Sequence, residues 1–177
     1  MKLWTVVNRA IVGWQMIVRG QPGWRSQFTI SAAGLATALF VFVFVAFLGV
    51  AAASMSIGMP GGMGVLTAMA VLALPVISLV VTLMISRSFI NSQAPMLPVL
   101  VPGVYAMAGF LLFEGLLALI GGPIVMLAWF GTGYLLFRLA RIALLWSIGV
   151  AAGFAALTIV LLVAMRLALY MLPTTLL

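Results

Sequence analysis

The chain has 177 residues, of which 67% are hydrophobic and 5% are charged, and its formal net charge is +7. A soluble domain carries charge at roughly a quarter of its positions, so this composition excludes a soluble globular protein and predicts a chain that lies mostly in lipid. Cys and His are absent and Glu114 is the single carboxylate side chain, which excludes disulfides, two-carboxylate sites and Ser-His-Asp triads. We therefore predict no catalytic residue, no cofactor, no metal site and no enzymatic activity.

Residues 1–23 are predicted to form an amphipathic helix that lies on the membrane surface. Apolar residues recur at helical spacing from Leu3 to Val18, polar and basic residues fall on or near the other side, and the segment 20–23 ends the pattern. Such a helix is interpreted as an anchor that orients the first span, as a docking surface for a partner subunit, or as a sensor of membrane curvature.

Residues 24–177 are predicted to form a bundle of five transmembrane helices, because about 20 apolar residues are needed to cross the hydrocarbon. The five apolar runs cover residues 29–53, 64–86, 98–120, 123–137 and 142–171. Gly121, Gly122 and Pro123 separate the third run from the fourth, since this sequence is unfavourable inside a helix. The fourth span is expected to be short and extended by snorkelling arginines, and the fifth is expected to tilt or project. The predicted fold is all-α: a polytopic transmembrane helical bundle with an N-terminal interfacial helix.

The basic residues predict the orientation of the bundle. Seven of the eight lie in the gaps on one side of the apolar runs: Lys2, Arg9, Arg19, Arg25, Arg87, Arg138 and Arg141. The positive-inside rule places the N-terminus in the cytoplasm and, after five crossings, the tail 173–177 on the periplasmic or exterior side. Anionic lipid of the inner leaflet, and not nucleic acid, is the expected partner of these charges. The predicted lipid contacts are Arg9, Arg19, Arg25, Arg138 and Arg141.

Glu114 and Arg166 are ionisable residues inside apolar runs. An ionisable residue within the membrane is costly and points to a functional site. Arg166 lies late in the fifth run, at a depth towards the outer leaflet that Glu114 can reach. Glu114 itself lies outside the midplane if the third span starts near Pro98, and near the centre if the helix begins only at Gly103. We hypothesise that the two residues form an ion pair. The pair is interpreted as a staple between two helices. The alternatives are a protonated or lipid-facing Glu114 that contacts another subunit, and conduction of protons or ions, for which no second carboxylate or His continues a relay.

Two further patterns predict contacts between helices. Gly149 and Gly153, with the neighbouring alanines, form a seam of small residues that allows a helix to approach closely, whether from this chain or from another. Ser78 and Thr82 follow Pro75 at helical spacing, and their hydroxyls are predicted to bond the backbone carbonyls that the proline frees or to bond another helix.

A resemblance is carried by two stretches of the chain. Arg19-Gly20 followed by Phe28, Ser31 and a first span is similar to the start of small polytopic proteins of proteobacterial membranes. The stretch 134–141 before the last span adds to this, and more distantly the chain resembles the five-span Yip-type membrane proteins. The resemblance implies a five-helix bundle in the bacterial inner (plasma) membrane, and it transfers no functional residue.

Together these observations favour a non-catalytic accessory, assembly or structural subunit of a larger membrane complex. Its expected partners are membrane lipids and other membrane protein subunits. The alternative function is a small oligomeric transporter or channel that uses Glu114, which requires this carboxylate to face a wet cavity. An intramembrane enzyme has the least support, because Ser and Thr are present without a base to activate them.

Overall fold

A computed structural model describes residues 3–58 and 61–171, which form six α-helices and no strand. The helices are α1 (Leu3–Arg19), α2 (Ala32–Ile57), α3 (Gly62–Phe89), α4 (Leu97–Ile120), α5 (Met126–Ala143) and α6 (Ile148–Met171). Short 3-10 turns at Trp24–Gln27 and Gly122–Val125 precede α2 and α5. From α2 to α6, five helical segments are long and apolar enough to cross a membrane. The chain is therefore an all-α, multi-pass membrane protein, as its composition predicts; Lys2 and the tail 173–177 lie outside the described residues.

The last two spans begin and end at different residues from those predicted. α5 continues to Ala143, so the fourth span is not short, and α6 begins only at Ile148, so the fifth is not unusually long. The backbone turns at Leu145, which has a φ of +55°, and the Nη1 of Arg141 donates a hydrogen bond to the backbone oxygen of Trp146 at 2.7 Å. The sequence prediction missed this turn because residues 142–148 contain neither Gly nor Pro to mark it.

The five long helices pack as a ring in which α4 is the most deeply buried member. α2 and α5 contact α4, α6 contacts α5 and α3, and α3 closes the ring against α2 and α4. Gly103 lies where α4 meets α3, and a Cβ at this position would come within 2.7 Å of the Cδ2 of Leu79. Since Leu79 is fully buried, the glycine allows the two helices to approach closely.

α1 packs against the bundle along one narrow strip. Ile17 is fully buried, and the indole Nε1 of Trp14 donates a hydrogen bond to the backbone oxygen of Pro102 in α4, at 3.2 Å. A Cβ at Gly13 would collide with the ring of Phe28, so this glycine lets α1 lie directly against the turn that follows it. These contacts fix α1 to the end of the bundle where α2 and α4 begin.

The prediction that α1 is amphipathic is not clearly met. Exposed positions of α1 include the apolar Trp4 and Ile11 as well as the polar Asn8 and Gln15. Only a narrow strip is covered by the bundle, so apolar residues outside it remain exposed. The helix itself forms where the sequence predicts it, but burial does not divide it into one apolar and one polar face.

Candidate functional site

An ion pair joins α4 to α6 towards the end of the bundle that is distant from α1. The Nη1 of Arg166 lies 2.6 Å from the Oε1 of Glu114, and the Nη2 lies 2.9 Å from the Oε2. Both side chains retain only 16% of their accessible surface. The structure therefore brings together the two residues that the sequence pairs, in the bidentate geometry that makes an Arg–carboxylate pair strong.

Two aromatic rings complete the surroundings of this guanidinium. The Cζ of Arg166 lies 5.5 Å from the ring centroid of Phe110 in α4 and 5.0 Å from that of Trp129 in α5. The two rings contact each other edge to face at 5.2 Å. A cation over an aromatic face is attracted by the ring quadrupole, so three helices hold the charge of Arg166 in place.

Sequence reasoning missed both rings, although one had a signal. Phe110 lies four residues before Glu114 in α4 and therefore on the same face of the helix. Trp129 had no such signal, because its position relative to Arg166 depends on the rotation of α5 about its own axis. The spacing of residues along one helix predicts which of them share a face, but it does not predict which faces of two helices pack together.

The arginines at the α1 end of the bundle donate hydrogen bonds to backbone oxygens. Arg9 bonds Ser26 at 2.6 Å, Arg25 bonds Ala143 at 3.3 Å, Arg138 bonds Val18 at 2.8 Å and Arg141 bonds Trp146 at 2.7 Å. Several of these oxygens lie at helix ends, where carbonyls lack a partner within the helix. Arg19 is exposed. Because a guanidinium has five N–H donors, the bonded arginines keep donors for other ligands, and their contact with anionic lipid stays a prediction.

Gly149 and Gly153 lie on the outward face of α6. Both are exposed, and a Cβ at either position would meet no described atom within 4 Å. The face of α6 that packs inside this chain is a different one, with the buried residues Ala151, Phe154, Ala155, Thr158 and Leu162. The seam of small residues is therefore not used by the described helices of this chain and is open to a neighbour.

An apolar groove of about 700 Å³ runs between α5 and α6 beside this seam, and we call it the α5–α6 groove. Its wall is aromatic and its floor includes small residues, namely Trp129, Phe130, Tyr134 and Phe137 of α5 and Ala152 and Ala156 of α6. Glu114 does not line the groove. The groove therefore reaches Trp129, which contacts Arg166, but not the carboxylate.

A buried pair of hydroxyls links α3 to α6. The Oγ1 atoms of Thr82 and Thr158 lie 2.7 Å apart, and both side chains are fully buried. The hydroxyl of Thr82 also donates to the backbone oxygen of Ser78 at 2.7 Å, and the hydroxyl of Ser78 donates to the backbone oxygen of Pro75 at 2.9 Å. The predicted bond across to another helix occurs. The local oxygens that the hydroxyls contact, among them those of Pro75 and Ser78, do not include that of Val71, whose carbonyl the proline frees, so that part of the prediction is not met. Their tight packing marks them as structural.

Comparisons with protein-family models, with curated proteins and with solved structures found no match to this chain. The resemblance to five-span membrane proteins therefore stays an expectation from the sequence. The chemistry of the chain follows from its own residues: a neutralised ion pair, an outward seam of small residues, an apolar groove and a set of arginines at one end.

Proposed function

We propose that this protein is a non-catalytic accessory or structural subunit of a larger membrane assembly. The observation that carries the proposal is the outward position of Gly149 and Gly153, next to the α5–α6 groove. Small residues at the surface of a transmembrane helix let the backbone of a second helix approach closely, and close packing drives helix association in lipid. We assign this face of α6, with the groove beside it, to a helix of a neighbouring subunit.

The state of Glu114 supports a structural role. Both oxygens of this carboxylate accept hydrogen bonds from Arg166, and the sequence holds no other carboxylate and no His. The group on which acid–base chemistry or ion conduction would depend is therefore engaged in joining α4 to α6. The transport alternative requires Glu114 to face water, and the α5–α6 groove does not include it.

The proposal places the subunit in the bacterial inner membrane with its N-terminus in the cytoplasm. This orientation is supported by the arginines, because the hydrogen bonds of Arg25 and Arg138 gather the C-terminal ends of α5 and α1 at one end of the bundle. Arg166 lies away from that end and is neutralised by Glu114. The excess of uncompensated positive charge thus lies on one side, which is the cytoplasmic side under the positive-inside rule.

The substitution Gly153→Leu tests the assigned face. A Cβ at position 153 meets no described atom within 4 Å. The leucine side chain therefore leaves the fold of the single chain intact and prevents only the close approach of a neighbouring helix. We expect the subunits to associate about tenfold more weakly, a loss of about 1.4 kcal/mol, because the added side chain prevents close packing of the two helices. The measurement is light scattering of the native complex purified in mild detergent, which reports the loss of the partner's mass.

Gly109→Leu provides the matched control. Gly109 is exposed on α4 and a Cβ there also meets nothing within 4 Å, so the variant adds the same side chain to a different lipid-facing surface. It should leave the complex unchanged. A wild-type protein that purifies as a lone monomer contradicts the proposal, and equal loss of the partner in both variants contradicts the assignment to α6.

A further inference from the structure

A second cavity lies at the opposite end of the bundle from the ion pair, where α1 crosses the start of α2. This cleft has a volume of about 160 Å³, roughly ten times the ~15 Å³ that one ordered water requires. We call it the α1 cleft, and its polar lining residues are Arg9, Gln27, Thr29, Thr37 and Tyr105. Because α2 begins at Ala32, the cleft lies where the first span leaves the membrane.

The charge in the cleft comes from Arg9. Its Nη2 donates to the backbone oxygen of Ser26 at 2.6 Å, which leaves most of the five N–H donors of the guanidinium available. The chain has one carboxylate side chain, Glu114, and that carboxylate is bound by Arg166. Arg9 therefore has no carboxylate side chain within the chain to balance its charge.

Further hydrogen-bonding groups face the same space without using protein partners. Tyr105, Gln27 and Thr29 line the cleft, and their side chains make no hydrogen bond to residues 3–58 or 61–171. The ring of Tyr105 is fixed by its contact with Phe28, at 6.1 Å between centroids. A tyrosine hydroxyl and a guanidinium among the lining residues of one cleft are donors that suit an anion with several acceptor oxygens.

An apolar track continues from the cleft along α2. Ala33 and Thr37 line the cleft, and Phe40 and Phe44 are exposed further along the helix. These positions follow one another at steps of four, three and four, so they lie on one face of α2. A ligand held in the cleft by a polar group thus has an apolar surface beside it that points into the span.

We propose that the α1 cleft binds the phosphate group of a membrane phospholipid, with Arg9 and Tyr105 as donors and the exposed face of α2 in contact with an acyl chain. Phosphate supplies the several acceptor oxygens that match the guanidinium. A free phosphate would use the cleft but not the apolar track, and the track is the reason to assign the anion to a lipid. This inference concerns a different surface from the proposed subunit contact and does not rest on it.

The test measures lipid binding to the delipidated full chain in mild detergent by native mass spectrometry. The three probes are phosphatidylglycerol, a diacylglycerol with the same acyl chains, and inorganic phosphate. We expect saturable binding of one phosphatidylglycerol, no binding of diacylglycerol in the same concentration range, and competition by inorganic phosphate only at far higher concentration. Diacylglycerol that binds as tightly as phosphatidylglycerol overturns recognition of the phosphate, and inorganic phosphate that binds as tightly overturns the assignment to a lipid.

Three variants locate the site. Arg9→Gln should weaken binding of phosphatidylglycerol about tenfold, as expected for loss of a charge-assisted hydrogen bond. Tyr105→Phe removes only the hydroxyl and keeps the ring beside Phe28, and it should weaken binding about threefold. Arg19→Gln is the matched control. Arg19 is a predicted contact for the lipid surface in general but lies exposed on the same helix outside the cleft, so its loss should leave the saturable binding of one phosphatidylglycerol unchanged.

The variants also distinguish loss of a lipid contact in the cleft from a change in the structure of the chain. Arg9→Gln removes the bond to Ser26 and could disturb the turn, whereas Tyr105→Phe breaks no hydrogen bond within the described chain. Weaker binding in both, with Arg19→Gln unchanged, supports the cleft. Equal weakening by Arg9→Gln and Arg19→Gln indicates diffuse attraction between charges, and unchanged binding in Tyr105→Phe removes the hydroxyl from the site; either result contradicts the proposal.

Discussion

Replacing Glu114 and Arg166 separately and together measures how far the ion pair stabilises the bundle. Each side chain is only 16% exposed, so the pair resembles a buried one, in which removal of one partner costs about 3–5 kcal/mol, more than a surface pair worth about 0–1 kcal/mol. Arg166→Met strands the carboxylate and also removes the contacts with Phe110 and Trp129. We expect it to lower the free energy of unfolding by about 4 kcal/mol.

Glu114→Gln should cost less, about 2 kcal/mol, because the guanidinium keeps both rings and an amide oxygen as acceptor. The double variant loses the ring contacts but strands no charge, and its expected cost is about 3 kcal/mol. Independent residues would give about 6 kcal/mol for the double variant, and the difference of about 3 kcal/mol is the coupling between the two side chains.

The assay is reversible unfolding in mixed micelles of a mild and a denaturing detergent, followed by circular dichroism. Arg19→Gln is the control, since it removes an exposed arginine far from the pair and should leave unfolding unchanged. If the costs of the two single variants add to that of the double variant within about 0.5 kcal/mol, the side chains are not coupled. The pair would then contribute no more than two separate polar groups, and the staple between α4 and α6 would be refuted.

Two other predictions concern close packing and orientation. Gly34→Ala should destabilise the chain by about 3 kcal/mol, because its Cβ would collide with the backbone oxygen of Thr29, which is not the end of a flexible side chain. Gly109→Ala lies at an exposed helical site with free space and should instead stabilise the chain slightly in the same unfolding assay. Tags at the two termini, labelled in intact cells, should be reachable from opposite compartments, and reach from one compartment contradicts an odd number of spans.

The sequence predicted that Glu114 and Arg166 pair, but their depth in the membrane depends on where α4 and α6 begin, which the sequence predicted only in part. α4 and α6 run in the same direction from the same end of the bundle, and a helix rises about 1.5 Å per residue. Glu114 follows Leu97 by 17 residues and Arg166 follows Ile148 by 18, which gives heights of about 26 Å and about 27 Å. The same count from the predicted starts at 98 and 142 gives about 24 Å and about 36 Å. The two charges therefore come to one level only because the turn at Leu145 delays the start of α6 to Ile148.

The direction in which a residue faces was not predictable in the same way. In water an apolar stripe identifies the buried face of a helix, but in lipid the outer face is as apolar as the core. Gly149 and Gly153 thus carried a packing motif whose partner could not be assigned, and the structure places both on the outer face. The buried Thr158, which bonds Thr82 across to α3, had no pattern to mark it.

Turns were predictable only where a residue type demanded them. Gly121 and Gly122 adopt positive φ values of +80° and +67° between α4 and α5, as the glycine pair with the following proline predicted. The turn between α5 and α6 has Leu145 at positive φ instead, a conformation that Leu rarely adopts. The bond from Arg141 to Trp146, five residues later, helps to hold that turn, and a side-chain bond of this kind has no characteristic sequence pattern.

The placement of the single carboxylate explains why anions from outside the chain are expected at the α1 end. Arg166 lies between two rings inside a span and requires a full negative charge, which Glu114 supplies. Arg138 instead bonds the carbonyl of Val18 at the end of α1, where the peptide dipoles give only a partial negative charge. The arginines of that end are thus positioned without being neutralised. Lipid phosphates are the anions at a membrane surface that can complete this balance.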